Sequence, residues 1–396
     1  MVERPHHDVL VLGGGNAGIS LAARLLRDGC RDVAVVDPST VHHYRPMLSY
    51  VGSGMAGLDE LRRPQALVIP DGARWYTERA VAVDPRTSIV TLGDGSELTY
   101  GDLVVCPGSE VDWDAIPGSQ DAVATPAAST NYLPALAPGT WAAMASLTRG
   151  TAVFTMSERH VPCPPVALNP LFTAVDQWRR DGTLAQIDVH LLVEEARLVP
   201  LARADAELRM TADDYGVHLH LRTTVESVDA HERVLHLRGP AGRSTLHYDA
   251  LHLTPPHKAP SWIAQSGLAE PDTAGFVAVD PRTLQHVAYP RIWGLGDAAE
   301  VHAQPSGGAL RKQVPVVAEN IAARRRGGTM RAYDGYSVAP VTTSRRRLLL
   351  AEYDRDGRPE PTVSVPDLIT PRWSTFVFDR YLEPLVYFHR LLKGKV

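Results

Sequence analysis

The first sustained pattern in the chain is an apolar run, Val9-Leu10-Val11-Leu12, that breaks into Gly13-Gly14-Gly15-Asn16-Ala17-Gly18 and then passes into helical spacing over residues 19–26. A short uninterrupted apolar run predicts a strand buried on both faces, and the change of period predicts a helix directly behind the glycines. A second buried strand follows over residues 33–36 and ends in Asp37. Shorter strands are predicted over 75–83 and 89–92, then 97–100 after the Gly93-Asp94-Gly95 turn, and 102–105 before Cys106-Pro107-Gly108. Residues 112–138 are rich in Pro, Ala, Ser and Thr and predict a crossing into another unit. That unit opens with a buried strand over 151–155. Asn169-Pro170 then gives an N-cap and first-turn signature for a helix closed by Asp181-Gly182, and strands follow over 187–193, 217–221, 225–228 and 246–253. An apolar stretch over 290–295 meets Gly296-Asp297, with a helix over 314–323 behind it. Alternating strands and helices of this kind predict an α/β fold with two Rossmann-like dinucleotide-binding domains. The expected division is 1–110 with 266–330 for the first domain, 111–265 for the second, and 331–396 for a C-terminal capping segment with amphipathic helices.

The strand, tight glycine turn and helix carry G-x-G-x-x-G, and each glycine has a task there. Gly13 takes the turn, Gly15 lets a pyrophosphate approach the backbone, and Gly18 lets the helix pack against the strand. Gly14, Asn16 and Ala17 complete the cradle, whose free N–H groups and helix dipole suit phosphate. Asp37, about twenty residues on, is placed to accept hydrogen bonds from a ribose. Arg45 and Pro46, in the polar segment after it, together with Val81 and Gly108, are expected against the same cofactor. The strand over 151–155 runs into Met156-Ser157-Glu158-Arg159-His160-Val161-Pro162-Cys163-Pro164-Pro165, which has no glycine, so a nicotinamide cofactor has no visible cradle. Gly296-Asp297 has the form of the Gly-Asp whose acid takes the ribityl hydroxyls of FAD in two-dinucleotide-domain flavoproteins. FAD, rather than NAD, is the expected cofactor.

Composition narrows the function classes. With 40 Lys+Arg against 45 Asp+Glu the formal charge is −5, which gives no reason to expect a nucleic-acid partner. The three cysteines, Cys30, Cys106 and Cys163, form no C-x-x-C and no pair with four residues between them. A zinc site, a disulfide scaffold and a disulfide-reductase dithiol are all disfavoured. No signal sequence and no spanning helix is visible, and a cytoplasmic location is expected.

With those anchors in place, the chain resembles the sulfide:quinone oxidoreductase family of mitochondrial type, and so a disulfide-reductase-like FAD/NAD(P)-binding fold. The likeness runs through Gly13 to Gly18, the 39–46 loop, Gly101-Asp102-Leu103-Val104-Val105 and Val161-Pro162-Cys163. It continues through Leu253-Thr254-Pro255-Pro256, Thr283-Leu284-Gln285-His286, Gly296-Asp297, Lys312, Tyr333-Asp334-Gly335-Tyr336, Leu349 to Asp354 and Pro371-Arg372-Trp373-Ser374. The resemblance implies two-electron oxidation of sulfide or another small sulfur reductant through a cysteine persulfide and a flavin adduct, with electrons passed to quinone. Cys163 matches one redox cysteine; its bland alternative is a structural thiol in a proline loop. The second redox cysteine would fall just before Pro340, where this chain has Ala339. One thiolate still forms a persulfide but cannot close the two-cysteine bridge. A soluble flavoenzyme on the same scaffold, oxidising another small organic molecule with O₂ or another acceptor, is the alternative.

The resemblance also places Lys312 near the flavin pyrimidine, where a positive charge stabilises the anionic reduced form. His160 and Glu158, beside Cys163 in sequence, are candidate bases. Near the C-terminus, Trp373, Phe376, Val377, Tyr381, Leu385, Phe388 and Leu392 recur at helical spacing, with Asp379, Arg380, Glu383, Arg390, Lys393 and Lys395 elsewhere. Such a helix suits the membrane interface, on which a peripheral association with the inner face is expected, and suits equally a cover over the flavin domain. Family members continue further than Val396, so attachment is expected to be weaker or absent.

Overall fold

The computed structural model describes residues 4–157, 160–271, 273–363 and 365–395. Its first sheet is parallel through His6–Leu12, with Val33–Val36 and then Ala73–Tyr76 on one side and Glu97–Val105 on the other. Ile292–Gly294 returns from far down the chain to pair in parallel with Glu97–Val105. The antiparallel strands Ile89–Leu92 and Ala80–Asp84 extend the same sheet. The apolar runs that predicted these strands are fully buried, because helix Asn16–Arg27 and the sheet's other neighbours cover them.

The register decides where chemistry can occur. Leu12 pairs with Val36 on one side and Val105 on the other, and Gly294 pairs with Val105. The four strands therefore end level, and the loops behind them meet at one edge: Gly13 to Gly18, Asp37, Cys106 to Gly108, and Gly296-Asp297. That carboxyl edge is where open α/β sheets bind their ligands.

A second sheet, wholly parallel, runs Ala128–Ser129, Ala250–His252, Gly150–Met156, Ile187–Val193, His218–Leu221. The hairpin Ser337–Ser344 with Arg347–Tyr353 lays Ala339, Val341, Leu349, Ala351 and Tyr353 on its core. Helix Leu168–Asp181 ends at Gly182, which takes φ +73, as the Asp181-Gly182 pair predicts.

The expected N-cap at Asn169 is not one. Pro164–Ala167 already form a helical turn, pre-set by two prolines, and the helix continues from it without a break. Asn169 lies inside the helix and serves the hairpin instead: its Oδ1 accepts from the Thr342 N–H at 2.7 Å and its Nδ2 donates to the Pro340 carbonyl at 3.4 Å.

At the C-terminal end, Trp373–Val377, a π-turn Phe378–Leu382 and Glu383–His389 form one bent helical segment. Phe376, Tyr387, Leu391 and Leu392 pack onto Tyr44, Met47, Leu48 and Tyr50 of the first domain's loop region. Trp373, Phe378, Tyr381, Leu382 and Leu385 stay exposed. The segment both covers the domain and presents an apolar face outward.

Candidate functional site

A cavity of about 750 Å³ opens along the carboxyl edge of the first sheet. Its floor is the glycine turn. Gly13 has φ +115, and a Cβ there would meet the Cys106 carbonyl oxygen at 2.4 Å; a Cβ on Gly18 would meet the Gly13 oxygen at 1.8 Å. Neither position has room for a side chain, because helix, turn and neighbouring strand touch backbone to backbone. A Cβ on Gly15 would meet nothing within 4 Å, and Gly15 lines the cavity with Gly14, Asn16 and Ala17. The turn is thus packed tight behind and left open in front, the shape a pyrophosphate needs at a helix N-terminus.

Asp37 lines the cavity and is fixed from two sides. Its Oδ2 accepts from the Gly14 N–H at 2.5 Å and its Oδ1 from the Ser39 N–H at 2.7 Å. Gln65 donates to the Gly14 carbonyl at 2.8 Å and braces the turn from below. Gly296, at φ +68, donates to Gln313 at 2.8 Å and presents Asp297 to the cavity. The Asp297 carboxylate has no hydrogen-bond partner among the described residues. Desolvation raises its pKa, opposed by the Arg45 guanidinium. An acceptor left unpaired in such a place is costly unless a ligand donates to it. Hydroxyl groups of a ribityl chain fit that need, as the open glycine turn fits a pyrophosphate. Arg45, Pro46 and Gly108 also line the cavity, and Arg45 donates to the Tyr132 carbonyl at 3.3 Å.

Two sequence candidates lie elsewhere. Val81 stands 39% exposed on strand Ala80–Asp84 and lines no part of the cavity, because the antiparallel extension carries it away from the carboxyl edge. The Lys312 ammonium is drawn off by Asp334 at 2.8 Å and by Glu360, and it lies over the Tyr336 ring. Its neighbour Arg311 lines the cavity in its place.

Cys163 lines the same cavity as the glycine turn. Its backbone is left-handed at φ +50, with the N–H donating to the Pro305 carbonyl at 2.9 Å, and its Sγ contacts the Val338 carbonyl at 3.7 Å. A non-glycine residue in that region is held there by its surroundings. Ala339, next to Val338, is fully buried against the second core. Cys106 lies under the turn, where burial pushes its thiol well up, and Cys30 is half-buried behind the first helix. His160 stacks on Phe276 at 4.5 Å and faces Glu300, outside the cavity lining; Glu158 lies outside the described residues.

Sequence reasoning missed the wall opposite the turn. Tyr44, Tyr387, Phe378, Asp379, Glu383, Arg311 and Glu352 all line the cavity. Tyr387 stacks on Tyr44 with ring centres 4.3 Å apart and meets His42 Nε2 at 2.6 Å. Asp379 accepts from the Tyr50 hydroxyl at 2.5 Å. The only signal was the i, i+4 spacing of Asp379 and Glu383 on an aromatic helix.

Burial lowers His42 to about 4, against 6.5 unfolded, so between those values the unfolded chain binds more protons. This contribution to stability is complete above pH 6.5 and is lost as pH falls towards 4. Thermal melts at pH 7 and pH 5 should therefore differ more for the wild type than for His42→Gln. Equal differences would mean that the His42 ring is not desolvated in the folded chain.

Residues 7–135 match the pyridine nucleotide-disulphide oxidoreductase family. Over 98% of its length the chain is 28% identical to the mitochondrial sulfide:quinone oxidoreductase of Mus musculus, spanning 87% of that protein. It is 29% identical to that of Dictyostelium discoideum, over 98% of this chain and 86% of the relative. The fold superposes on the X-ray structure of the sulfide:quinone oxidoreductase from Aquifex aeolicus with a TM-score of 0.82, at 16% identity, over 99% of this chain and 91% of that one.

Proposed function

We propose that this chain, which belongs to the sulfide:quinone oxidoreductase family, binds FAD in the cavity and catalyses two-electron oxidation of sulfide or another small sulfur reductant, with a quinone as acceptor. The observation that carries the reading is the placement of Cys163 on the wall of the same cavity as the open glycine turn and the unpaired Asp297. The N–H groups of the Gly13–Gly18 turn would hold the pyrophosphate, Asp37 the ribose and Asp297 the ribityl hydroxyls. Bound FAD supplies a carrier that takes up two electrons and gives them on. Cys163 would supply the thiol whose S–H is replaced by a bond to the reductant's sulfur, giving a persulfide, as two protons leave to water and the two electrons pass to that carrier. With Ala339 beside it and no cysteine later in the chain, release of that sulfur needs an external thiol or a second sulfide.

The exposed face formed by Trp373, Phe378, Tyr381, Leu382 and Leu385 favours an apolar acceptor approaching from a membrane surface, since Phe378 belongs both to that face and to the cavity wall. Among the described residues no helix is long and apolar enough to cross a membrane. Association would be peripheral, on the cytoplasmic side. A second reading, oxidation of a different small molecule with O₂, is favoured by one observation: the place of the second redox cysteine is taken by a buried alanine.

FAD-loaded protein should reduce decylubiquinone in a sulfide-dependent reaction, and Leu385→Glu with Tyr381→Glu should raise the KM for decylubiquinone several-fold in the presence of vesicles while leaving sulfide-driven bleaching of the flavin unchanged. Sulfide-dependent peroxide formation without any response to quinone would transfer the assignment to the second reading.

A further inference from the structure

Two carboxylic acids of the C-terminal segment look into the cavity and have little other work in the fold. Asp379 and Glu383 are four residues apart across the π-turn, and both line the cavity together with Phe378, Val363, Leu368 and Tyr387. Glu383 makes no hydrogen bond and no ion pair among the described residues. Asp379 has one partner, the Tyr50 hydroxyl. The charged and titratable groups facing Glu383 are Arg311 from helix Leu310–Arg326, Glu352 from the hairpin, Asp379 from its own segment and Tyr44 from the loop below. Arg311 is already engaged by Glu352 and the Tyr336 hydroxyl, so its charge is largely committed. A carboxyl facing an apolar, aromatic wall without a partner is most cheaply held in its neutral form, with a proton to give.

We propose that Glu383 donates a proton to a quinone-class acceptor bound against this wall, and that Asp379, one turn before it, supplies the second. The inference rests on the proposed function for the acceptor and for the reduced FAD that provides the electrons. In the step, two electrons pass to the quinone, and its two carbonyl oxygens each form an O–H bond. The O–H bonds of Glu383 and Asp379 break, and the two carboxylates that remain recover protons from water at the cavity mouth. Burial supports the assignment: it pushes Glu383 up to about 7 and Asp379 up to about 6, with Arg311 opposing the first and the Tyr50 hydrogen bond the second. Glu383 is then about half protonated at neutral pH, the condition under which a general acid is most useful.

The test starts from FAD-loaded, full-length protein reduced with dithionite, so that it does not depend on the sulfur chemistry. The reduced protein is mixed with decylubiquinone between pH 5.5 and 9, and in parallel with ferricyanide, which takes electrons without protons. The wild-type rate with decylubiquinone should fall as pH rises through about 7. In Glu383→Gln the ratio of decylubiquinone to ferricyanide rates should drop at least about tenfold at pH 6.5 and lose that limb. Glu383→Asp should keep the limb and recover part of the rate. Independently of turnover, binding of 2-heptyl-4-hydroxyquinoline N-oxide to the oxidised protein should change with pH around 7 in the wild type and be flat in Glu383→Gln. A Glu383→Gln protein with the wild-type ratio and pH profile overturns the proposal and leaves the proposed function standing. Reduced wild type that decylubiquinone does not reoxidise overturns both the proposal and the quinone assignment. Failure of sulfide, as opposed to dithionite, to reduce the protein removes only the sulfur reductant from the proposed function.

Discussion

Replacing Cys163 by serine should slow anaerobic reduction of the bound flavin by sulfide by about 10³-fold or more, the scale on which enzymes lose rate with their nucleophile. Reduction by dithionite and the amount of bound FAD should not change, because the glycine turn, Asp37 and Asp297 form the cradle and Cys163 lies on another part of the cavity lining. The other two cysteines sharpen the test. Cys30 sits half-buried behind the first helix, away from the cavity, and Cys30→Ser should react with sulfide as the wild type does. Cys106 lines the cavity floor, but burial under the glycine turn holds its thiol protonated, so it cannot replace Cys163 as a nucleophile. If Cys163→Ser is bleached by sulfide at the wild-type rate, the persulfide assignment fails.

The second large effect is expected at the glycine turn, where two alanine substitutions should part company. Gly18→Ala would place a Cβ 1.8 Å from the Gly13 oxygen and 3.1 Å from Val11 Cγ1. Backbone must move to accept it, so the helix separates from the strand. The protein should purify without yellow colour and with a melting temperature several degrees lower, a loss of about 2–4 kcal/mol for a steric conflict with buried backbone. Gly15→Ala meets no protein atom within 4 Å, at an extended φ of −77 that any residue adopts. The apoprotein should melt as the wild type does. Its affinity for FAD should nevertheless fall about tenfold or more, equivalent to about 1.4 kcal/mol, because the methyl group enters the space left for the pyrophosphate. Calorimetric titration of the apoprotein with FAD measures the second effect and differential scanning calorimetry the first. A Gly15→Ala protein that binds FAD normally would mean that the open front of the turn is not the phosphate cradle.

How much of this was legible beforehand depended on whether the signal was local. The glycine turn is demanded by backbone geometry within a few residues, Asp37 and Gly296-Asp297 follow from the motif spacing, and the sheet register brings all three together at Leu12, Val36, Val105 and Gly294. Lys312 and Val81 lie away from the cavity lining because tertiary partners set their positions. Asp334 and Glu360 claim the lysine, and the antiparallel extension of the sheet carries the valine outward. Asn169 matched an N-cap pattern, yet two prolines upstream started the helix sooner and freed its amide for the hairpin. The C-terminal acids were the least legible. Their i, i+4 spacing puts Asp379 and Glu383 on one side of the helix with the buried Phe376 and Tyr387, but spacing does not say whether that side meets solvent, protein or a cavity. The packing of Tyr387 on Tyr44 and of Asp379 on Tyr50 is tertiary, and it decides that this side forms the wall that would meet the acceptor.

Anaerobic stopped-flow mixing of the FAD-loaded protein with sulfide, and then with decylubiquinone, follows both halves of the proposed reaction in one experiment. The oxidised flavin absorbance should be lost rapidly in the first mix and return in the second. A flavin that sulfide leaves oxidised, or converts only slowly and in a single turnover that quinone does not reverse, would contradict the proposed reaction.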